Sequence, residues 1–179
     1  KKVDYFVQLD APDKVGVDDD AKSDDELYSE GKSWDDPYNL EDALKQAYAG
    51  DVVVVPEGTY KPKKDTAFVI SGDGVTLIGG AQGWETSSDE IVLDPANSII
   101  QGNGTSAVIF DNAAAIAASG SGLSQGTTLK GFTVQGGEAK NGGGICFKGG
   151  ASGTIAHCIV KGNTATEKGG GIYTEQGSC

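Results

Sequence analysis

The feature of this chain that most restricts its fold is a six-residue pattern that occurs five times. Each copy has an inward residue, a spacer, a second inward residue, two further residues and then Gly or Asn. Successive copies begin 22, 23, 34 and 26 residues apart, which is the spacing of a solenoid repeat. The copies are Val53–Gly58, Val75–Gly80, Ser98–Asn103, Phe132–Gly137 and Cys158–Asn163.

The alternation within each copy predicts a strand with one buried face. Gly and Asn tolerate a left-handed backbone, so we expect sharp corners at Gly58, Gly80, Asn103, Gly137 and Asn163. We also expect Asn103 and Asn163 to stack as a hydrogen-bonded ladder between coils. The chain is therefore predicted to be all-β, a single-stranded parallel β-helix. Its equivalent hydrophobic residues would form one stack, namely Val55, Leu77, Ile100, Val134 and Val160.

The charge and hydropathy of the chain argue against several classes of partner. Its 179 residues carry a net charge of −12, whereas nucleic acids and anionic membrane surfaces are bound by clustered basic residues. The sequence holds no apolar run long enough to cross a bilayer. We therefore expect no nucleic-acid partner and no membrane insertion in this segment.

The N-terminal part, residues 1–50, is predicted to belong to the same domain as the coils in residues 51–179. Tyr5–Val7 is expected to form a strand. Residues 10–36 contain eleven acidic residues and three lysines, which indicates a solvated loop. Residues 39–49 have an N-cap asparagine and an apolar stripe, so we expect an amphipathic helix that covers the open end of the first coil.

The last two coils are the most regular, because Asn141–Ile145 matches Lys168–Ile172 at a distance of 27 residues. The sequence ends where a further coil would begin, and an uncapped solenoid exposes its core and its strand edges. We expect either more chain or stacking on another molecule at this end, including self-association through the C-terminal coil.

Two stretches resemble known β-helix proteins. Gly31–Trp34 together with Gly50–Tyr60 resembles the start of pectate-lyase-like right-handed β-helix proteins. Ile159–Ala165 together with Gly169–Tyr173 is similar to the repeat of polymorphic outer-membrane proteins and related surface adhesins. The resemblance covers residues 31–179. It implies a right-handed coil and an extracellular or cell-surface location, and neither motif carries catalytic residues.

Candidate catalytic groups are few. His157 is the only histidine and has no acidic partner nearby in the sequence, so a structural role is expected. Glu57, Asp73, Asp94 and Asp111 follow strands near corners, and Asp73 and Asp94 on adjacent coils would be the best pair for a glycosidase or lyase. Aspartate also favours turns, and no nucleophile or arginine accompanies the pair. We therefore assign no catalytic residue.

Binding residues are equally sparse. Asp18, Asp19, Asp20 and Asp24 could hold Ca²⁺, although their spacing is not that of an EF-hand and a solvated acidic loop is the simpler interpretation. No other cofactor is expected. Trp84 is the best candidate for an exposed ligand contact. Cys146 and Cys158 could pair in the core or remain reduced, and an odd count of three cysteines, with Cys179, leaves at least one unpaired.

These observations favour a non-catalytic secreted or surface module, adhesin-like or structural, that binds carbohydrate or a surface protein. One alternative is the N-terminal part of a polysaccharide lyase or glycosidase, for which acid and lysine side chains on adjacent coils would be expected at the surface. A second alternative is a filament subunit that assembles end to end.

Overall fold

The computed structural model of this chain describes residues 4–6, 39–82, 88–124 and 126–174. Every strand pair in these residues is parallel. The strands that pair come from successive turns of the chain, and their order gives four coils. The predicted all-β parallel β-helix is therefore confirmed.

The elements follow one another in a regular cycle. Strand β1 (Asp4–Phe6) and helix α1 (Leu40–Gln46) precede the coils. The first coil contains β2 (Val52–Pro56), β3 (Gly58–Tyr60) and β4 (Phe68–Ile70). The second contains β5 (Thr76–Ala81), a 3₁₀ turn (Ser88–Glu90), β6 (Ser98–Gln101), β7 (Val108–Asp111) and helix α2 (Asn112–Ser119). The third contains β8 (Thr128–Lys130), β9 (Thr133–Gln135), β10 (Glu138–Asn141) and β11 (Ile145–Lys148). The fourth contains β12 (Thr154–Ala156), β13 (Ile159–Val160), β14 (Thr164–Lys168) and β15 (Ile172–Thr174).

Three long sheets run along the axis of the coils. Sheet 1 has the order β1-β2-β5-β8-β12, sheet 2 the order β3-β6-β9-β13, and sheet 3 the order β4-β7-β11-β15. A short fourth sheet pairs β10 with β14 and exists only in the third and fourth coils. The third and fourth coils therefore have an extra strand between sheets 2 and 3.

The core is a column of side chains contributed by every coil. Inward residues stack in register because each pairs with its counterpart one coil away, as the alternation predicts. Those of the first three coils pack into one buried cluster, whereas Ile155 and Val160 of the fourth coil are partly buried against it and Ile172 is 44 % exposed. In sheet 1 the residues in register are Val53, Leu77, Leu129 and Ile155. In sheet 2 they are Tyr60, Ile100, Val134 and Val160. In sheet 3 one such set is Phe68, Val108, Ile145 and Ile172.

The five sequence copies do not occupy one equivalent position, and that part of the prediction is wrong. Val53 pairs with Leu77 in sheet 1, whereas Ile100 and Val134 pair in sheet 2. The step from the second copy to the third therefore stays within one coil, because residues 82–97 are inserted between β5 and β6. The inward residues nevertheless share one core, as expected.

Helix α1 covers the first coil as predicted. Asn39 is its N-cap and accepts a hydrogen bond from the Asp42 amide at 2.9 Å. Leu40, Ala43 and Leu44 are buried in the same cluster as the coil residues. Apolar residues at this spacing lie on one face of a helix, and that face packs on β2 and β4. The predicted first strand is also present as β1, one residue earlier than expected, and it pairs with β2.

The insertion before β6 covers the outer face of sheet 1. Val52, Val54 and Ile78 point away from the main core, yet each is almost completely buried. Ile91 and Leu93 from the insertion pack against them as a second small cluster. Residues 91–93 form no strand and pack over the sheet instead.

Candidate binding groove

A polar groove among the described residues lies on the short sheet. It has a volume of about 400 Å³ and is open to solvent along the outer face of β10 and β14. Residues from three consecutive coils line it. They are Gly104 and Thr105 from the second coil, Glu138, Ala139 and Lys140 from the third, and Thr164 and Thr166 from the fourth.

Backbone pairing between β10 and β14 aligns side chains of the third and fourth coils. Glu138 is in register with Thr164 of the next coil, and the Glu138 amide donates to the Thr105 carbonyl at 3.1 Å. Adjacent coils lie about 4.8 Å apart in the direction of these hydrogen bonds. Glu138 and Thr164 therefore lie side by side along the axis, and Thr105 contributes its backbone carbonyl to Glu138 from the second coil.

An ion pair also lies at this groove. Lys140 Nζ lies 3.3 Å from Glu167 Oε1, across the step from the third coil to the fourth. Both side chains are more than half exposed, so this ion pair adds little to stability and can exchange its partner for a ligand group. It also meets the expectation stated for the lyase or glycosidase alternative, because it places an acid and a lysine on adjacent coils at the surface.

One wall of the groove depends on a glycine. Gly104 has φ of 98°, and a Cβ atom at this position would collide with the Asp65 carboxylate. Asp65 itself has φ of 60°, and its amide donates to the Asn103 carbonyl at 2.7 Å. Both residues take a left-handed backbone, so the corners of the first and second coils fit closely together here.

The sequence analysis did not identify this groove. Its residues are ordinary surface types, and their only signal is the outward alternation in β10 and β14. No repeat marks them, because the extra strand exists in only two coils. The corner at Gly104 and Thr105 could not be aligned with β10 from the sequence.

The carboxylates proposed as an active pair bind the backbone at separate places. Asp73 Oδ1 accepts from the Ser124 amide at 2.8 Å, whereas Asp94 Oδ1 accepts from the Ala96 amide at 3.0 Å. Hydrogen bonding by Ser124 lowers the pKa of Asp73. Each aspartate stabilises a turn, as the simpler interpretation expected, and the structure does not bring the two together in one hydrogen-bonded site.

The other two carboxylates also have structural partners. Glu57 Oε1 accepts from Asn97 Nδ2 at 2.8 Å. Asp111 is the N-cap of α2 and accepts from the Ala114 amide at 3.0 Å and from Lys148 Nζ at 2.9 Å. Burial alone would raise the pKa of Asp111, but these hydrogen bonds and the lysine charge outweigh it, so the pKa is lowered.

The corners are only partly as predicted. Gly58 and Gly80 have positive φ, 148° and 94°, but Gly80 lies inside β5 and Gly58 begins β3. The expectation is wrong for the other three, because a neighbouring glycine takes the left-handed backbone instead. Asn103, Gly137 and Asn163 are flanked by Gly104, Gly136 and Gly162, whose φ values are 98°, 65° and 59°.

The two corner asparagines do not form a ladder. Asn103 Nδ2 donates to the Pro62 carbonyl at 2.9 Å. Asn163 Nδ2 donates to the Val134 carbonyl at 3.0 Å, and Asn163 Oδ1 accepts from the Gly137 amide at 2.9 Å. Each side chain bonds to backbone of the preceding coil. The predicted contact between the two asparagines is therefore wrong, and each acts as a separate clamp.

The cysteines and the histidine lie outside the groove. Cys146 is disulfide-bonded and Cys158 is a free thiol, so the suggested pairing of these two is wrong. Burial raises the pKa of the Cys158 thiol, which donates to the Ala156 carbonyl at 3.2 Å. His157 has φ of 49°, and its carbonyl accepts from the Gly131 amide at 3.2 Å. Its described contact is a backbone contact between coils.

Comparison with known proteins assigns the chain to a family. A family model described as "Protein of unknown function (DUF1565)" matches residues 24–177. The chain belongs to the DUF1565 family. This family is associated with β-helix proteins, in agreement with the parallel coils of this DUF1565 member. Searches of curated proteins and of solved structures returned no match.

Several sequence predictions for this DUF1565 chain fall outside the described residues. Trp84, Asp18, Asp19, Asp20, Asp24 and Cys179 all lie in segments that the structure does not describe. Within the described ranges, no group of three or more His, Cys, Asp or Glu side chains could hold a metal ion. In the same ranges, the helices are too short and too polar to span a bilayer.

Proposed function

We propose that this chain is a non-catalytic, extracellular or cell-surface β-helix module that binds glycan through the groove on β10 and β14. The observation that carries the proposal is the row of hydroxyl and charged side chains from three coils, exposed along one open groove. Such groups donate and accept hydrogen bonds in the pattern that sugar hydroxyls require. A surface built by repetition is extended, which suits a polymeric ligand.

The described carboxylates support a binding role over catalysis. A glycosidase needs a carboxylic acid whose pKa is raised so that it can donate a proton to the leaving group. The carboxyls with a resolved shift, Asp42, Asp73 and Asp111, all have lowered pKa values. Each is also engaged by backbone or lysine donors, so none of the three is poised as an acid. The lyase or glycosidase remains the alternative.

The disulfide at Cys146 supports an extracellular location. Disulfides persist in oxidising compartments and are rare in the cytosol. The resemblance of Gly50–Tyr60 to pectate-lyase-like proteins, and of Gly169–Tyr173 to polymorphic outer-membrane repeats, points to the same location. Both resemblances belong to proteins that act at cell surfaces or on their polymers.

Helix α1 covers the first coil, and this argues against a filament that assembles end to end. An end-to-end filament needs the fourth coil of one copy to stack on the first coil of the next. Helix α1 already buries Leu40, Ala43 and Leu44 on that first coil. The helix would have to leave before a second copy could bind there.

Isothermal titration calorimetry against soluble polysaccharides tests the glycan proposal. Thr164→Val removes one groove hydroxyl, retains the β-branched shape and is expected to weaken binding about threefold to tenfold, the effect of one lost hydrogen bond. Thr59→Val is the matched control, since Thr59 is an exposed strand threonine on β3, away from the groove. Equal affinities for both variants, or no binding of any polysaccharide, would contradict the proposal.

A parallel assay tests the absence of catalysis. The same polysaccharides are incubated with the chain, and new reducing ends and unsaturated products are measured. We expect neither above the level of a buffer control. Product that disappears in Glu138→Gln would instead favour the enzyme alternative, because Glu138 is the carboxylate that lines the groove.

A further inference from the structure

Carboxylates outnumber lysines around the groove, which limits the class of glycan that it can take. Among the lining residues, Glu138 and Lys140 carry opposite charges. Lys140 is already paired with Glu167, and Asp65 lies directly beside Gly104 at the wall. The groove therefore offers a polyanion no unpaired lysine among its lining residues and two further carboxylates at its edge.

The composition of the whole chain leads to the same conclusion. All 14 basic residues are lysines, so the bidentate guanidinium group that best binds carboxylates is missing from the sequence. The net charge of −12 adds long-range repulsion for any acidic polymer at low salt. Polyuronates, the substrates expected of a lyase, are therefore poor ligands for this surface.

The hydroxyl groups of the groove are arranged for a ligand that extends along the axis. Glu138 and Thr164 are in register on successive coils about 4.8 Å apart, and Thr105 lines the groove from the coil before them. A sugar unit in an extended polysaccharide has a similar length. One sugar ring can therefore face each coil, and its hydroxyls can bond the polar side chain of that coil.

We propose that the groove binds a neutral, extended polysaccharide whose chain lies parallel to the axis of the coils. This inference rests on the proposed glycan-binding function and adds the ligand class and its direction. Thr105, Thr164 and Thr166 exchange hydrogen bonds with the sugar hydroxyls, Glu138 accepts from them, and Lys140 donates to them.

Titration calorimetry with a soluble neutral β-glucan, polygalacturonate and chitosan oligosaccharide tests this inference. We expect the neutral glucan to bind with an affinity that changes by less than about twofold between 50 and 500 mM NaCl, since screening acts on charged ligands. Polygalacturonate should not bind, and any attraction of chitosan to the net negative charge should be lost at 500 mM NaCl. Thr164→Val should weaken it about threefold to tenfold, and Thr59→Val should not. Thermal melts check that both variants are folded.

A charge reversal provides a second test of the same inference. The double substitution Glu138→Lys with Glu167→Lys turns the groove basic while leaving its threonines in place. We expect this variant to gain salt-sensitive binding of polygalacturonate. If the variant still rejects polygalacturonate, charge balance does not determine the ligand class, and the inference is wrong.

The outcomes separate this inference from the proposed function. Binding of polygalacturonate, or of chitosan at 500 mM NaCl, to the wild-type chain that is weakened by Thr164→Val would refute the neutral ligand and leave the glycan-binding function standing. If none of the three polymers binds, or if binding is indifferent to Thr164→Val, the glycan-binding function itself is refuted and the inference falls with it.

Discussion

Asn163 holds the Gly137 amide of the preceding coil through its side-chain oxygen, at a distance of 2.9 Å. The same side chain donates to the Val134 carbonyl at 3.0 Å. One residue thus satisfies two backbone groups of the third coil, at the corner where sheet 2 gives way to the short sheet. The groove begins directly beyond this corner, with Glu138.

We expect Asn163→Ala to lower the free energy of unfolding by about 1–3 kcal/mol, because it leaves the Gly137 amide without its partner. Asn103→Ala is the matched control and should cost less, since Asn103 makes one such bond, to Pro62. Urea denaturation measures both values. A larger loss for Asn103→Ala would contradict the importance of the Gly137 contact.

Gly137→Ala is expected to destabilise the chain through a collision, not through its φ angle. The added Cβ would meet the Gly143 carbonyl and lie 3.0 Å from the Ala107 amide nitrogen. Gly162→Ala separates the two causes, because Gly162 has φ of 59° and open space around its Cβ position. The control should cost about 1–2 kcal/mol, the penalty of a left-handed alanine. Denaturation should show the larger loss for Gly137→Ala.

The lowered pKa of Asp111 predicts an acid-dependent loss of stability. A carboxyl whose folded pKa lies below its unfolded value of about 3.9 stabilises the fold fully above that value. This contribution is lost as the pH falls through the folded pKa. Asp111→Asn keeps the cap acceptor but removes the charge, so it should cost up to about 1 kcal/mol at pH 7 and nothing in strong acid.

Lys148→Gln completes a double-mutant cycle with Asp111→Asn. The ion pair accounts for the pH effect only if the coupling energy is present at neutral pH and absent in acid. Denaturation curves at both pH values measure it. A coupling energy that does not change with pH would contradict the assignment.

The two described cysteines should react differently with an alkylating reagent. In the unfolded chain without reductant, Cys158 should be labelled and Cys146 should not, because Cys146 is disulfide-bonded. In the folded chain, the raised pKa of Cys158 and its burial should slow the reaction at neutral pH. Peptide mass spectrometry locates the labels. Labelling of Cys146 before reduction would rule out its disulfide.

The coils and the capping helix could be predicted from the sequence because both depend on local periodicity. Strand alternation gave the inward residues of β2, β5 and β6, and Asn39 with its apolar stripe gave α1. The assignment of copies to sheets failed, since residues 82–97 and α2 with its following loop change the spacing. No local rule tells whether a step of 23 residues is a whole coil or part of one.

Contacts between distant segments could not be predicted. Val52 and Val54 are buried on the outer face of sheet 1 because Ile91 and Leu93 fold back over them. Gly137 was assigned to a left-handed corner, but the structure gives it a different role, the close approach of the Gly143 carbonyl. The groove likewise depends on which second-coil residues lie beside Glu138, and only the stacking of coils determines that.

Helix α1 covers the first coil at one end of the molecule, and this affects how the molecule can be lengthened. Thr128 pairs with Thr154, and Ile145 with Ile172, so one further repeat of the fourth-coil type would extend each sheet without altering the first coil. Each inserted repeat would also add one more row of outward side chains to the short sheet. The number of repeats then determines the length of polymer that the molecule can hold.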